Sequence, residues 1–409
     1  MNYCGIIAEF NPFTNGHEYL IQQAKKQTGL DVVCIMSGNF VQRGELAILE
    51  KHKRAEHAIK AGAIMVLELP VNFALSGAPY FAEGGVYSLS QLDNISHLAF
   101  GVELEETDEL MRLAKFKVNE NKEIKNKINE YMKNGNNYSV ASFKAYTNNI
   151  DTTGFNEEFI NKVFNSPNNI LALEYLTAIY KLKLNITPVF VKRLDNGYNS
   201  KKPKKVKIEK QKINFAGASY IREKIFSGKI KKTKKLLPEY SYNSLKEINP
   251  SLIKTQEERL SALTLDSIRS KAPKTLQTYY DYNESLASLI SNNASKFASI
   301  SEITNNSIGK SYRKSRLKKL LLFPTLNLTK EKAQKLSKPT EIIALAIKKS
   351  KKKDLNNLIN NSKIKLIISQ NNRKENENSS LLILTNRSNQ IYEICSLLPY
   401  KNDLTIFID

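Results

Sequence analysis

Ile6-Ile7-Ala8-Glu9-Phe10-Asn11-Pro12-Phe13-Thr14-Asn15-Gly16-His17-Glu18-Tyr19-Leu20 decides the fold of this 409-residue chain. An apolar run, Gly5–Glu9, reads as a strand that ends in a tight turn, and a helix opens at His17. Pro12 cannot continue a sheet interior, and Gly16 lets backbone approach a ligand closely. The first turn of a helix offers free N–H groups and a partial positive charge to an anion. His17 shares a helix face with Leu20, Ile21 and Ala24, which places its ring above the strand's carboxyl end, where open α/β sheets bind ligands. Thr14-Asn15-Gly16-His17 therefore reads as a phosphate cradle built from hydroxyl, close backbone and imidazole. A lone His in such a place more often packs under its helix than binds anything. The succession strand, Pro, Thr, Gly, helix tips the balance toward a nucleotide phosphate.

Outward from this stretch, short apolar runs recur at Asp31–Met36, Met65–Glu68 and His97–Phe100, separated by helical patterns over His17–Lys26, Glu50–Ala61 and Gly84–Leu92. Such alternation predicts an α/β fold with a doubly wound parallel sheet. Glu105–Asn134 reads as a charged amphipathic helical stretch, and Asn168–Lys181 as a helix capped by Asn168 and Asn169. Thr187–Lys192 is a fifth strand, near an edge because of Pro188. Lys201–Lys212 reads as a solvated Lys-rich loop, and Glu239 to about Leu321 as helical throughout. Lys348–Lys353 reads as a linker. Ile364–Ile368, Leu381–Leu384, Ile391–Ile394 and Leu404–Ile408 read as strands of a small terminal unit. Three regions follow: 1–235, a nucleotide-binding domain; 236–345, a basic helical region; and 346–409, a small C-terminal α/β unit.

Three further segments can carry chemistry. Gly38 and Gly44 flank a loop after the second strand, and its Arg43 can neutralise a phosphate or carboxylate with its planar fork. The plainer reading pairs Arg43 with Glu45 or Glu50 at the surface. Gly101 ends the fourth strand and leaves room for a base or ribose, or is an ordinary turn glycine. Gly217-Ala218-Ser219-Tyr220-Ile221-Arg222 puts Ser219 at a helix start as its cap and Arg222 one turn in, a second candidate phosphate site. No serine-hydrolase elbow, zinc-ligand spacing or GxxxxGKS loop occurs, and no metal ligands are assigned. Cys4, Cys34 and Cys395 are odd in number and far apart, which fits a reducing cytoplasm. No apolar run approaches the 18 residues of a membrane span, and the first residues resemble a strand rather than a signal peptide.

The TxGH sequence at residues 14–17 resembles the HxGH signature of the nucleotidyltransferase (HUP-like) superfamily, with Thr14 in place of the first His, as in phosphopantetheine adenylyltransferases. Met36–Glu45, Leu67-Glu68-Leu69-Pro70, Phe100-Gly101-Val102-Glu103, Pro167–Leu171 with Glu174-Tyr175, Ala218–Arg222 and the basic run Lys310–Arg316 narrow it. Together they resemble the bacterial tRNA(Met) cytidine acetate ligase family over about residues 1 to 325. The resemblance implies ATP contacts along Ile7, Ala8, Glu9, Phe10, Asn11, Pro12, Phe13, Thr14, Asn15, Gly16, His17, Glu18, Tyr19 and Leu20, and at Gly101, Asn168 and Arg193. Thr14 and His17 would be the catalytic pair, and Ser219 and Arg222 would hold the outer phosphates. Asn169 and Lys192 are adjacent competitors for two of these roles. The chain departs from the pattern after Arg193, where Asp195 and Asn199 stand in place of the family's Gly and His. The implied activity is acetylation of the wobble cytidine of elongator tRNA(Met) with acetate and ATP, Mg²⁺ accompanying the nucleotide.

The charge distribution points the same way. Lys and Arg number 62 against 40 Asp and Glu, a net +22, yet residues 1–200 carry −2 and residues 201–409 carry +24. A genome biased toward Lys would have raised both halves, so the asymmetry predicts a polyanionic partner, RNA, for the second half. Lys310, Arg313, Lys314, Arg316, Lys318 and Lys319, close together on a helix and its entry, are the tRNA-binding candidates. The rival readings are a nucleotidyltransferase for a small cofactor precursor, with the basic half structural, and a non-catalytic RNA-binding protein on the same fold. Intact Gly16 and His17 argue against the second rival, and the basic half against the first.

Overall fold

The computed structural model describes residues 1–120, 122–134, 136, 138–149, 154–195, 202–208, 211–307, 314–397 and 404–409. The five N-terminal strands of the main sheet are β1 (Tyr3–Ala8), β2 (Asp31–Ser37), β5 (Ala63–Leu69), β6 (Ile95–Val102) and β7 (Thr187–Lys192). Two short strands, β3 (Phe40–Val41) and β4 (Glu45–Leu46), form a hairpin after β2; β8 (Lys204–Ile208) and β9 (Gln211–Phe215) form a second hairpin after β7. Near the C-terminus, β10 (Glu341–Lys348), β11 (Lys365–Ile367) and β12 (Ile406–Ile408) extend the main sheet. Its order is β11-β10-β5-β2-β1-β6-β7, with β12 also on β10.

The five strands from β5 to β7 are parallel; β10 runs antiparallel to β5, pairing Ile347 with Met65. β2 and β5 are buried along almost their whole length, the mark of a parallel strand covered on both faces. Alternate residues feed two cores. Cys4, Ile6, Cys34 and Met36 face the helices Asn15–Thr28 and Lys51–Lys60 and run on into the helical region. Ile7, Val33, Ile35 and Leu67 face the helices Ala78–Ser90 and Pro167–Lys181. The chain leaves β1 toward β2 on one side and returns as β6 on the other, so a crevice opens at the carboxyl ends of β1 and β6.

Several expectations are corrected. The Lys-rich segment expected as a loop is the β8–β9 hairpin, because Val206, Ile208, Ile213 and Phe215 alternate onto one face. Leu381–Leu384 and Ile391–Ile394 are not strands. They share the helix Ser380–Ser396, capped by Ser379, in which Leu381, Leu384, Ser388, Ile391 and Cys395 follow the helical period and are buried. Lys348–Lys353 is the end of β10 and a 3₁₀ turn rather than a linker. Ser166, not Asn168 or Asn169, caps the helix Pro167–Lys181; proline at the first helical position needs no N–H partner. Gly217, not Ser219, caps the helix Ala218–Phe226. Glu105–Asn134 breaks into two helices, Thr107–Val118 and Lys122–Lys133.

The helices Pro250–Arg269, Glu284–Lys296, Ile300–Ser307 and Lys314–Leu326 pack around Leu260, Leu286, Ile303 and Leu320 and join the first core. The final helix is tied in by Arg387 Nε, which donates to the Thr325 carbonyl at 2.9 Å, and by Arg259 Nη1, which donates to the Cys395 carbonyl at 2.9 Å. No helix among the described residues is long and apolar enough to cross a membrane.

Candidate active site

The helix after β1 starts at Asn15 with Thr14 as its cap, and its third residue is His17. Thr14 Oγ1 accepts the His17 N–H at 3.4 Å, and the Thr14 N–H donates to His17 Nδ1 at 3.0 Å. This reciprocal cap is the usual Ser/Thr-to-Glu box with imidazole in the place of the carboxylate. Because Nδ1 accepts, the ring proton sits on Nε2 and is available as a donor. Phe10 and Phe13 lie edge-on and tilted against the ring, at centroid distances of 5.2 and 5.6 Å. Burial among them, reinforced by the Arg193 charge, lowers the imidazole to about 3, so it is neutral at physiological pH.

His17 opens onto a cavity of about 270 Å³ whose walls bring most of the expected residues together. Glu9, Thr14, Gly16, Tyr19 and Leu20 come from the β1 turn and the helix after it; Arg43 from the β3–β4 hairpin; Gly101 from β6; Asn168 from the helix Pro167–Lys181; Arg193 from the end of β7; and Ser219 and Arg222 from the helix Ala218–Phe226. A Cβ on Gly16 would meet only Thr14 Oγ1, at 3.5 Å, so the space beside that backbone is the cavity itself. A Cβ on Gly101 would lie 3.2 Å from Arg193 Cγ: glycine there makes way for the arginine stem, and the space expected for a base or ribose is shared with that stem.

The cations are held in different ways. Arg222 Nη1 donates to the Asn11 carbonyl at 2.9 Å, fixing its fork against the β1 turn, and burial, with the Arg43 charge nearby, lowers its pKa. Arg193 pairs with Asp195 at 2.6 Å, so the residue that departs from the resembled pattern sits on the expected ATP contact. Lys192 also lines the cavity, and its amine forms an exposed pair with Glu105. Asn168 lines the cavity and donates to Glu103 Oε1 at 2.5 Å, whereas Asn169 is buried and accepts the Glu103 N–H at 2.8 Å. Glu45 takes Lys318 at 2.6 Å, and Glu50 caps its own helix.

The remaining residues of the signature support the wall from behind. Ile7, Ala8, Phe10, Asn11, Pro12, Phe13, Asn15 and Glu18 do not line the cavity. Asn11 Oδ1 accepts the Ile48 N–H at 2.9 Å, Glu18 accepts the Tyr240 hydroxyl at 3.0 Å, and the Phe13 carbonyl accepts Ser241 Oγ at 2.7 Å. Sequence reasoning missed Gln42, Leu171, Val191, Phe215 and Gly217 in the lining. It also missed Arg54. That fully buried guanidinium donates to the carbonyls of Glu9 at 2.7 Å, Leu49 at 2.9 Å, Ser37 at 3.1 Å and also Gly38, tying together the carboxyl ends of β1 and β2. The only available signal was an arginine on the apolar face of its helix.

Of the basic candidates, Lys310 and Arg313 fall outside the described residues. Lys314 reaches Asn305 at 2.9 Å, and Arg316 is exposed and paired with Asp281 at 3.0 Å. Lys318 and Lys319 turn inward against the N-terminal region: Lys318 pairs with Glu45, and Lys319 donates to the Ser76 carbonyl at 3.1 Å, where burial lowers it to about 8.

The family model described as HIGH Nucleotidyl Transferase matches residues 1–404. A tRNA(Met) cytidine acetate ligase of Clostridium perfringens is 34% identical over 396 residues, covering 96% of this chain and 95% of its own. One from Thermoanaerobacter is 32% identical over 416 residues, covering 100% and 98%. The crystal structure of Thermotoga maritima TmcAL without ligand shares the fold with a TM-score of 0.86 at 24% identity over 100% of both chains. The form of that protein bound with alpha-thio ATP gives 0.84 at 24% identity, over 98% of this chain and 96% of its own. With an HxGH-type cradle open to the cavity at the switch point of its sheet and matches along nearly its full length, the chain belongs to the HIGH nucleotidyl transferases and to the family of the tRNA(Met) cytidine acetate ligases.

Proposed function

We propose that the protein activates acetate with ATP and transfers the acetyl group to N4 of the wobble cytidine of elongator tRNA(Met). An acetate oxygen attacks the α-phosphorus; the bond to the bridging oxygen breaks, pyrophosphate leaves and acetyl-adenylate forms. The N4 amine then attacks the acyl carbon, loses a proton, and AMP departs. The first step needs spread phosphoryl charge to be held, not a covalent nucleophile. The observation that carries the reading is the neutral His17 donor facing the same cavity as the open backbone at Gly16 and the cations Arg43, Arg193 and Arg222. In this scheme Thr14 orients the imidazole, Asn168 and Gly101 border the nucleoside, and Ser219 with Arg222 takes the leaving pyrophosphate. Mg²⁺ would accompany the nucleotide and neutralise phosphate charge, and no protein ligand is assigned to it.

The basic second half supplies the RNA-facing surface, including Lys314 and Arg316 and, beyond the described residues, Lys310 and Arg313. The test is incubation of the protein with labelled acetate, ATP and total tRNA. Label should enter tRNA only with ATP present, with release of AMP and pyrophosphate. Release of ADP and phosphate instead, or labelling from acetyl-coenzyme A alone, would overturn the reading.

A further inference from the structure

The β8–β9 hairpin carries a feature that the acetate and ATP chemistry leaves unused. One face carries Val206, Ile208, Ile213 and Phe215, with exposed Lys204 and Gln211 at its ends, and the other face presents Lys205, Lys207 and Lys212. In the antiparallel register Lys207 stands directly opposite Lys212, an arrangement of like charges that destabilises a strand pair. The adjoining 3₁₀ helix Ile230–Leu236 repeats the pattern. With three residues per turn, Lys231 lies over Lys234 and Lys232 over Lys235. All seven lysines are exposed, and none forms an ion pair among the described residues. The nearest acidic residue in the intervening helix, Glu223, is taken by Lys224 at 2.9 Å.

Both elements hang from one side chain of the phosphate cradle. Asn15 Nδ2 donates to the carbonyl of Asn214 in β9 at 2.9 Å and to that of Lys235 at 3.0 Å. Phe215 closes the hairpin by standing edge-on to Tyr19 at 5.8 Å, and both rings line the active-site cavity. Two sets of lysines without ion pairs among the described residues are thus borne on elements tied to the cradle, next to the chain that leads into Gly217 and Ser219. Repulsion built in at the strand and helix period is relieved by an anion with regularly spaced charges, which a nucleic-acid backbone provides. We infer that the β8–β9 hairpin and the 3₁₀ helix Ile230–Leu236 form an RNA-backbone docking surface that holds the acceptor tRNA at the mouth of the adenylating cavity.

This inference rests on the acetate-ligase reading for the identity of the RNA, but its test does not use acetylation alone. The full chain carrying Lys205→Gln, Lys207→Gln and Lys212→Gln is compared with the unmodified protein and with the Lys→Arg triple. For the Gln triple, tRNA affinity should fall about tenfold or more at 0.1 M salt. The log–log salt slope should become shallower by roughly 0.7–0.9 for each phosphate no longer neutralised. The KM for ATP in acetate-dependent pyrophosphate exchange should be unchanged, and the Arg triple should bind tRNA normally. Lys231→Gln with Lys234→Gln should act in the same direction. Unchanged tRNA affinity and slope in both Gln variants would overturn the inference, as would a raised KM for ATP with tRNA binding intact, which would assign these lysines to the nucleotide's own phosphates. Failure of the unmodified protein to use acetate would defeat the ligase reading while leaving the measured salt slopes to judge the docking surface.

Discussion

At the scale of the residue, the proposed chemistry turns on keeping one imidazole uncharged. His17 is lowered to about 3 by burial, helped by Arg193. It is therefore neutral across the working range, the Nε2–H donor of the proposed mechanism, and the acid limb of pyrophosphate exchange should show no inflection near 6.5 from this group. Replacing His17 with Ala should leave the fold intact, since the ring contributes one cap bond, and should cost on the order of 10²–10³ in exchange rate. A soluble variant with unmodified exchange removes His17 from the mechanism. Burial likewise lowers His57, behind Phe13, to about 4. The unfolded chain protonates both histidines near 6.5, so below that pH it binds more protons than the folded one, and stability falls as pH drops toward 4. Urea midpoints between pH 7 and 4 should show this, and His57→Asn should flatten the slope by removing a contribution on the order of 3 kcal/mol.

At the scale of the element, Arg54 shows how the sheet ends are held. Its guanidinium satisfies carbonyls from the β1 turn and the end of β2, and burial lowers its pKa. Arg54→Met leaves several buried acceptors without donors and should cost about 3 kcal/mol in denaturant-measured stability. An unaltered midpoint would mean that water replaces the cation. The parallel strands were legible in the sequence because a strand buried on both faces is apolar along nearly its whole length, as in Ala63–Leu69, where Glu68 alone is charged. The cradle was legible because Pro, Thr, Gly and His each do a distinct local job. Less legible were elements whose partners are remote. The Lys-rich hairpin was masked by its charges, and the helix Ser380–Ser396 by apolar clusters short enough to pass for strands. Nor could spacing foretell that Asp195 would pair with Arg193, or that Arg54 would be buried, since both depend on what the fold brings alongside.

At the scale of the whole molecule, the near-neutral half makes most of the cavity wall, and the basic half completes it with Phe215, Gly217, Ser219 and Arg222 and braces it from outside. Tyr240 and Ser241 clasp the signature from outside, and Lys318 and Lys319 join the helix Lys314–Leu326 to Glu45 and Ser76. Division of labour follows: Arg316, exposed on that helix, should matter to tRNA and not to ATP. Arg316→Ala is expected to weaken tRNA binding a few-fold and to flatten its salt dependence, with pyrophosphate exchange retained. Loss of exchange with tRNA binding untouched would place the segment in the nucleotide site or the fold. The central claim is that this cavity makes an acyl-adenylate from acetate. Exchange of labelled pyrophosphate into ATP, measured with and without acetate and in the absence of tRNA, tests it most directly. Exchange that depends on acetate and is abolished by His17→Ala is the predicted result; exchange without acetate, or none with it, contradicts the account.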